Sequence, residues 1–368
     1  MDGLPAHHRS RTKGFTSLTE YHWCLPMFDD PGLRPREIRP PHLEYHVQIA
    51  EAAELGGFTA LLLGAGWGQK VDAFATAAAL MQHRPSIRSL IAVRPGYLHP
   101  AVVAKLAVTI DQQSDGRVSL NVVTGGVPSD LAHYGDTLDH DARYARTREF
   151  LQIYAALTLH PGTPFTYKGD FFSCHQATLG LGLVGDPGGR IYFGGASEPA
   201  LEVAAAYADT YLMWGVPVDE ARKTVAEIRR RASQCGRTIH CGIRINIIAR
   251  ADSDEAWAVA QSLLDDADPP TLQRVQAVAA ETDSVGQRRM FALAGRPTTG
   301  GSSGTYWTGL SRLRVGSGTA LVGSYAEVAA GLRTYIDVGI DTFILAGTPH
   351  LEECHRVGRF VLPLLQVP

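Results

Sequence analysis

Three short stretches place reactive or polar residue types where a fold alone would not ask for them. In RVSLNVVTGG, residues 117–126, an apolar strand-forming run is interrupted by one polar side chain, Asn121, and ends in Thr124 and two glycines. Strand alternation puts Ser119, Asn121 and Val123 on one face and Leu120, Val122 and Thr124 on the other. A buried amide needs hydrogen-bond partners, which a structural network or a bound polar ligand can supply. In CGIRINIIAR, residues 241–250, Arg244 and Asn246 share a face with Gly242 and Ile248, opposite a row of isoleucines. Arginine beside asparagine on an apolar strand is costly to bury unless paired, so either a structural ion pair or a ligand-facing role follows. The third stretch runs from Arg190 through GGAS, residues 194–197, straight into EPALEVAAAYA. Gly194 and Gly195 let backbone come close, Ser197 can cap, and a helix start presents free N–H groups at its positive end. That combination is an anion site.

Eight strand-like runs must position these residues: 22–25, 59–63, 89–93, 118–123, 191–193, 210–214, 241–249 and 342–345. Helical patterns separate most of them, including LEYHVQIAEAAEL, HPAVVAKLAVTIDQQS and helices following Asp219, Ser253 and Ser324, read as N-caps. Alternating β and α units in this number predict a closed (β/α)₈ barrel of α/β class. A doubly wound open sheet would want G-x-G-x-x-G after an early strand, which is missing. Residues 19–368 are expected to form one barrel domain behind a disordered tail, residues 1–18. Two segments exceed ordinary loop length, 160–189 and the glycine-rich 295–318, which is expected to be a mobile lid or simple disorder.

Composition narrows the class. The 368 residues are 45% apolar and 19% charged with a formal net charge of −3, the balance of a soluble enzyme. A near-neutral acidic chain argues against nucleic-acid and membrane-surface roles. The five cysteines, Cys24, Cys174, Cys235, Cys241 and Cys354, form no CxxC pair and are odd in number, so buried reduced thiols and a cytoplasmic location are expected. Asp139, His140 and Asp141 lack the spacing of a zinc site, and no metal is expected.

Together, NVVTGG, LDHDARY at 138–144, YFGGAS, YLMWG at 211–215, GIR at 242–244, DSVGQRRM at 283–290, GTALVG at 318–323 and PHLEE at 349–353 resemble the bacterial-luciferase-like flavin monooxygenases. The likeness runs in unbroken order from about Trp23 to Leu365 and is nearest to the alkanesulfonate monooxygenase branch. It implies a luciferase-like TIM barrel that takes reduced FMN from a separate NAD(P)H-dependent flavin reductase and uses O2 to oxygenate a small organic substrate. A homodimer or homotetramer is implied as well. Carried over, Asn121, Val123 and Thr124 lie along the flavin ring, with Trp214 beside it or plugging the barrel. His140, Tyr144 and Ser197, with the backbone of Gly194, Gly195 and Ala196, hold the phosphate. Arg244, Asn246 and Asn121 carry the catalytic work, Arg244 by stabilising negative charge.

The substrate side departs from the branch. Phe28 stands where a histidine follows the first strand, and Trp67 to Lys70 replace a segment with a cysteine. Asn246 replaces a histidine, Thr348 a tyrosine, and Arg296 is the match for a loop arginine. Phe28, Trp67, Arg296 and Thr348 are therefore the expected substrate-lining set. Two other readings stay open: a deazaflavin-dependent oxidoreductase on the same barrel, and a flavin-binding protein without catalysis.

Overall fold

A computed structural model describes residues 19–31, 37–83, 86–184, 190–294 and 304–366. The expected tail, 1–18, lies outside them. Eight parallel strands form the barrel: β1 Glu20–Leu25, β2 Ala60–Leu63, β3 Arg88–Val93, β4 Val118–Val122, β5 Arg190–Gly194, β6 Thr210–Trp214, β7 His240–Arg250 and β8 Thr342–Ala346. Each pairs with its sequence neighbour, and β1 pairs with β8 to close the ring. All eight strand runs read from the sequence are present, and the (β/α)₈ architecture holds.

Two apolar layers explain why these strands close. Outward-facing residues such as Trp23, Leu61, Ile91, Leu120, Phe193 and Ile243 pack on the helices. Cys24, Leu62, Leu90, Tyr192, Leu212, Ile344 and Ala346 fill the interior as a separate cluster. The helical layer is α1 Leu43–Leu55, α2 Ala73–Gln82, α3 Pro100–Ser114, α4 His140–Leu159, α5 Glu198–Tyr207, α6 Val218–Gln234, α7 Ser253–Asp265, α8 Pro269–Glu281, α9 Val285–Ala294, α10 Tyr325–Asp337 and α11 His350–Phe360. Ser324 caps α10 in a capping box with Glu327. Two cap expectations shift: α6 starts at Val218, which places Asp219 in its first turn, and Asp252, not Ser253, caps α7.

Strand β7 is longer than its neighbours for a reason. Its first half bridges β6 and β8, while Asn246–Arg250 pairs with a flanking strand, Ala320–Ser324, that the sequence reading left out. That strand carries the described end of the expected lid with it. Tyr306–Trp307 adds to it as an antiparallel pair, Gly309–Arg312 forms a 3-10 turn, and Trp307 is buried against Ile248, Ala256 and Val322. Residues 304–318 are thus built into the flank of the barrel; 295–303 lie outside the described residues. Likewise 160–184 contains a hairpin, Phe165–Lys168 with Ser173–Ala177.

The N-terminal end of the barrel is closed by charge. Glu20 accepts from Arg88 at 3.0 Å and from Arg190 at 2.9 Å, and faces His22 at 3.3 Å. Burial opposes ionisation, but the His22 hydrogen bond and the charges of Arg190 and Arg88 hold Glu20 well below the usual carboxylate range. No described helix is long and apolar enough to cross a membrane. No described group of His, Cys, Asp or Glu residues is arranged to hold a metal. All five cysteines are free; Cys24, Cys241 and Cys354 are buried, whereas Cys235 is exposed.

Candidate active site

At the C-terminal end of β5 the chain turns through Gly194 to Ser197 into α5. A Cβ on Gly195 would stand 2.5 Å from the Ala200 Cβ and 3.0 Å from the Tyr144 hydroxyl, with φ at +155°. Only glycine leaves that space open. Tyr211 donates to the Gly195 carbonyl at 2.7 Å and fixes the turn from β6. His140, in the first turn of α4, lies one turn before Tyr144 with their rings 4.9 Å apart. Four of the expected phosphate residues, His140, Tyr144, Gly195 and Ser197, are therefore brought to one cradle. Burial pushes the Tyr144 phenol up, so it stays a donor.

Ser197 is the N-cap residue of α5, yet its hydroxyl does not cap the helix. Its Oγ is buried without a hydrogen bond of good geometry, its near neighbour being the Tyr144 phenol, so a ligand acceptor between the two hydroxyls would satisfy it. The one acidic side chain in the first turn, Glu198, is drawn away to Arg231 on α6 at 2.5 and 3.0 Å. An anion at this helix start consequently meets free donors and a diverted carboxylate.

The mouth of the barrel is lined by inward-facing residues one step above the interior cluster. Asn121 is partly exposed and its amide has no hydrogen bond among the described residues, which favours the ligand reading over a structural network. Val123, just past β4, is also partly exposed. Thr124 is turned the other way: it is buried, with its hydroxyl 3.2 Å from that of Thr147 on α4. Only its backbone remains for a ligand, and the expectation of a Thr124 side chain along the flavin is corrected. Trp214 faces the mouth beside Arg244 in the β6–β7 register and packs near Gly286 of α9.

Arg244 makes no ion pair among the described residues. Its Nη2 donates to Cys24 Sγ at 3.4 Å, its one side-chain contact there. Asn246 is fully engaged: Nδ2 donates to the carbonyls of Ser317 at 3.0 Å and Thr319 at 2.8 Å, and Oδ1 accepts from Arg314 Nη1 at 3.2 Å. It positions Arg314 and the 317–319 segment, a correction to its expected catalytic part. Arg314 is the residue the sequence reading missed. Burial, then the nearby charge of Arg244, push it below the ordinary arginine value, to about 10. Two guanidinium groups thus share the mouth without a carboxylate partner among the described residues, an arrangement stabilised by an added anion.

The expected substrate set is only partly assembled. Phe28 packs edge-on against His350, ring centroids 6.0 Å apart, beside exposed Thr348. Trp67 sits on the outer rim, 55% exposed, stacked on His133 at 4.9 Å and edge-on to Tyr134. Asp130 holds its backbone N–H at 3.0 Å and also pairs with Arg94. Trp67 is a rim residue and not a wall of the inner pocket, another correction. Arg296 lies outside the described residues.

The comparisons with known proteins agree with this fold. A sequence profile of the luciferase-like monooxygenases matches residues 19–342. Among solved structures, the chain is similar to an EDTA monooxygenase from Chelativorans sp. BNC1, with 19% identity, TM-score 0.73 and coverage of 95% of this chain and 94% of that one. It is similar to DmoA from Hyphomicrobium sulfonivorans, with 20% identity, TM-score 0.77 and coverage of 95% and 87%. It also resembles an F420-dependent secondary alcohol dehydrogenase, with 17% identity, TM-score 0.69 and coverage of 95% and 100%. At these identities the structures speak for the barrel alone, whereas the profile spans most of the chain, so the chain belongs to the luciferase-like monooxygenase family.

Proposed function

We propose that the protein is a two-component monooxygenase that receives reduced FMN from a separate NAD(P)H-dependent flavin reductase and uses it with O2 to oxygenate a small organic anion. The observation that carries this reading is the orphaned Ser197 hydroxyl in a cradle that only Gly195 keeps open, at a helix start cleared of its own carboxylate. His140, Tyr144, Ser197 and the 194–197 backbone would hold the phosphate. Asn121 and Val123 would face the ring, with Trp214 at its edge. The bound flavin supplies the oxygen chemistry. The chain binds it, keeps water out with the apolar interior cluster below, and offers fixed positive charge where negative charge develops.

Arg244 and Arg314 set the substrate class. Two guanidinium donors without a carboxylate beside them among the described residues favour an anionic head group, while Phe28, which packs on His350, offers only apolar surface. Thr348 and Asn246 add no free long-reach donor, so a short alkanesulfonate, with three acceptor oxygens and little apolar body, is a poor fit. A molecule with one anionic group and a larger apolar part suits this mouth better. Titration of FMN against riboflavin tests the reading: affinity is expected to drop at least tenfold without the phosphate, and equal affinity would remove it.

A deazaflavin-dependent dehydrogenase is the second reading, favoured by the F420-dependent structure among the similar ones. Oxygen consumption during turnover separates the two, because hydride transfer to or from a deazaflavin consumes none.

A further inference from the structure

Asp30 is a fully buried carboxylate just after the β1 exit, and it receives three donors. Tyr45 of α1 donates its hydroxyl at 2.6 Å and the backbone N–H of His350 donates at 2.7 Å, both to Oδ2. Oδ1 lies 2.8 Å from His350 Nδ1. A carboxylate only accepts, so the proton of a neutral His350 sits on Nδ1 and Nε2 is left as a lone-pair acceptor. His350 is itself 2% exposed, and Nε2 has no partner among the described residues. Unlike Nδ1 of His22, it is not among the polar atoms sealed from solvent. Its ring meets the edge of Phe28, and Thr348 lies two residues before it, at the C-terminal end of the barrel where the mouth opens.

Burial and the Asp30 hydrogen bond push the Tyr45 phenol up, so it remains a donor to Asp30. The network therefore fixes one tautomer of one imidazole, with the lone pair pointing away from the carboxylate. A strap needed only to join the β1 exit to α11 would be served by the backbone bond from His350 and the Tyr45 bond. The third contact, to the imidazole, is the one with a chemical consequence.

We propose that Asp30 and His350 form a proton-accepting dyad on the Phe28 side of the mouth, with His350 Nε2 taking a proton from the bound substrate during its oxygenation. In that step the substrate X–H bond breaks and its electron pair stays on X. An N–H bond forms at Nε2, and the Asp30 carboxylate stabilises the imidazolium. The inference goes beyond the assignment of FMN and O2, since it concerns which protein group moves a proton.

Diethyl pyrocarbonate acylates an unprotonated, accessible imidazole nitrogen, and peptide mass spectrometry reads the modified residue. In the native protein His350 is expected to react within about tenfold of the rate of exposed His133. Asp30→Asn supplies the discriminating variant. Its amide oxygen still accepts from Tyr45 and from the His350 backbone, but its NH2 faces Nδ1 and forces the proton onto Nε2. Reactivity of His350 should then fall at least about tenfold while the circular dichroism spectrum is unchanged. A His350 that reacts only after unfolding overturns the proposal, as does an Asp30→Asn protein that reacts as fast as the native one. Should that variant not fold, long-range ¹⁵N–¹H correlation on the native protein decides: neutral His350 protonated on Nδ1 supports the dyad, and protonation on Nε2 overturns it. In turnover, His350→Gln is expected to lower kcat by about 10²-fold with FMN affinity unchanged, and an unchanged kcat overturns the role. Failure of FMN to bind at all would sink the flavin reading while leaving the acylation and tautomer results to judge the dyad.

Discussion

Replacing Arg244 by methionine separates chemistry from architecture. Its guanidinium touches Cys24 Sγ at 3.4 Å and no carboxylate among the described residues. A guanidinium–thiol contact is a weak hydrogen bond, and methionine refills most of the aliphatic volume. The substitution also removes the charge that helps push Arg314 down to about 10. Stability should therefore change by no more than about 1 kcal/mol in either direction. Activity should behave differently. A fixed cationic donor aimed at developing negative charge in a dry site contributes about 2.7–4 kcal/mol, or roughly 10²–10³ in kcat. With a flavin reductase, NADH and an accepted substrate, Arg244→Met should lose about that factor while its FMN affinity and thermal midpoint hold. The companion shift is in Arg314: with its like-charged neighbour gone, its guanidinium is held more firmly protonated, so residual anion binding should persist to a higher pH than in the native protein. An Arg244→Met protein that unfolds, or one that turns over at the native rate, would refute the assignment.

Further outcomes follow from other parts of the barrel. Ser197→Ala should weaken FMN binding by about 0.5–1.5 kcal/mol and leave riboflavin binding unchanged, measured by fluorescence titration; an equal loss for both would show that the hydroxyl does not meet the phosphate. Gly195→Val should abolish FMN binding outright, because its side chain would occupy the space between Ala200 and Tyr144; retained binding would move the phosphate elsewhere. Glu20 has a folded value below its unfolded one, so its contribution is complete above about pH 4.3 and is lost as pH falls toward the folded value. Glu20→Gln should cost about 2–3 kcal/mol at pH 7 and flatten the acid limb of stability in chemical denaturation, and an unaltered limb would exclude Glu20 as its source. In a substrate panel, short alkanesulfonates should give little coupled product compared with longer apolar anions, and efficient sulfite release from a short one would show that Arg244 and Arg314 suffice.

The fold was legible because strands in a barrel announce themselves by short apolar runs at regular intervals. The glycine turn into α5 and the His140–Tyr144 pair one turn apart on α4 were legible too, since both have local signatures. What escaped was set by contacts distant in sequence. The strand 320–324 pairs with the part of β7 that extends past its barrel neighbours, and nothing local to GTALVG marks that pairing. Arg314 enters the mouth because Asn246, 68 residues earlier, holds it. The same contact turns Asn246 from an expected catalytic residue into a support. Trp67 was misplaced because Asp130, 63 residues later, pins its backbone at the rim. The Asp30–His350 pair spans 320 residues and had no sequence signature beyond the PHLEE motif around its histidine.

The central claim is that this barrel takes up reduced FMN through its phosphate and spends it on oxygen. Anaerobic titration of the protein with reduced FMN, reduced riboflavin and a reduced deazaflavin, followed by admission of ¹⁸O2 with the substrate panel, measures both halves at once. The account predicts tight binding of reduced FMN, binding at least tenfold weaker for riboflavin, and one ¹⁸O atom in the product. Tight binding of the deazaflavin alone, with no label incorporated from O2, would contradict it.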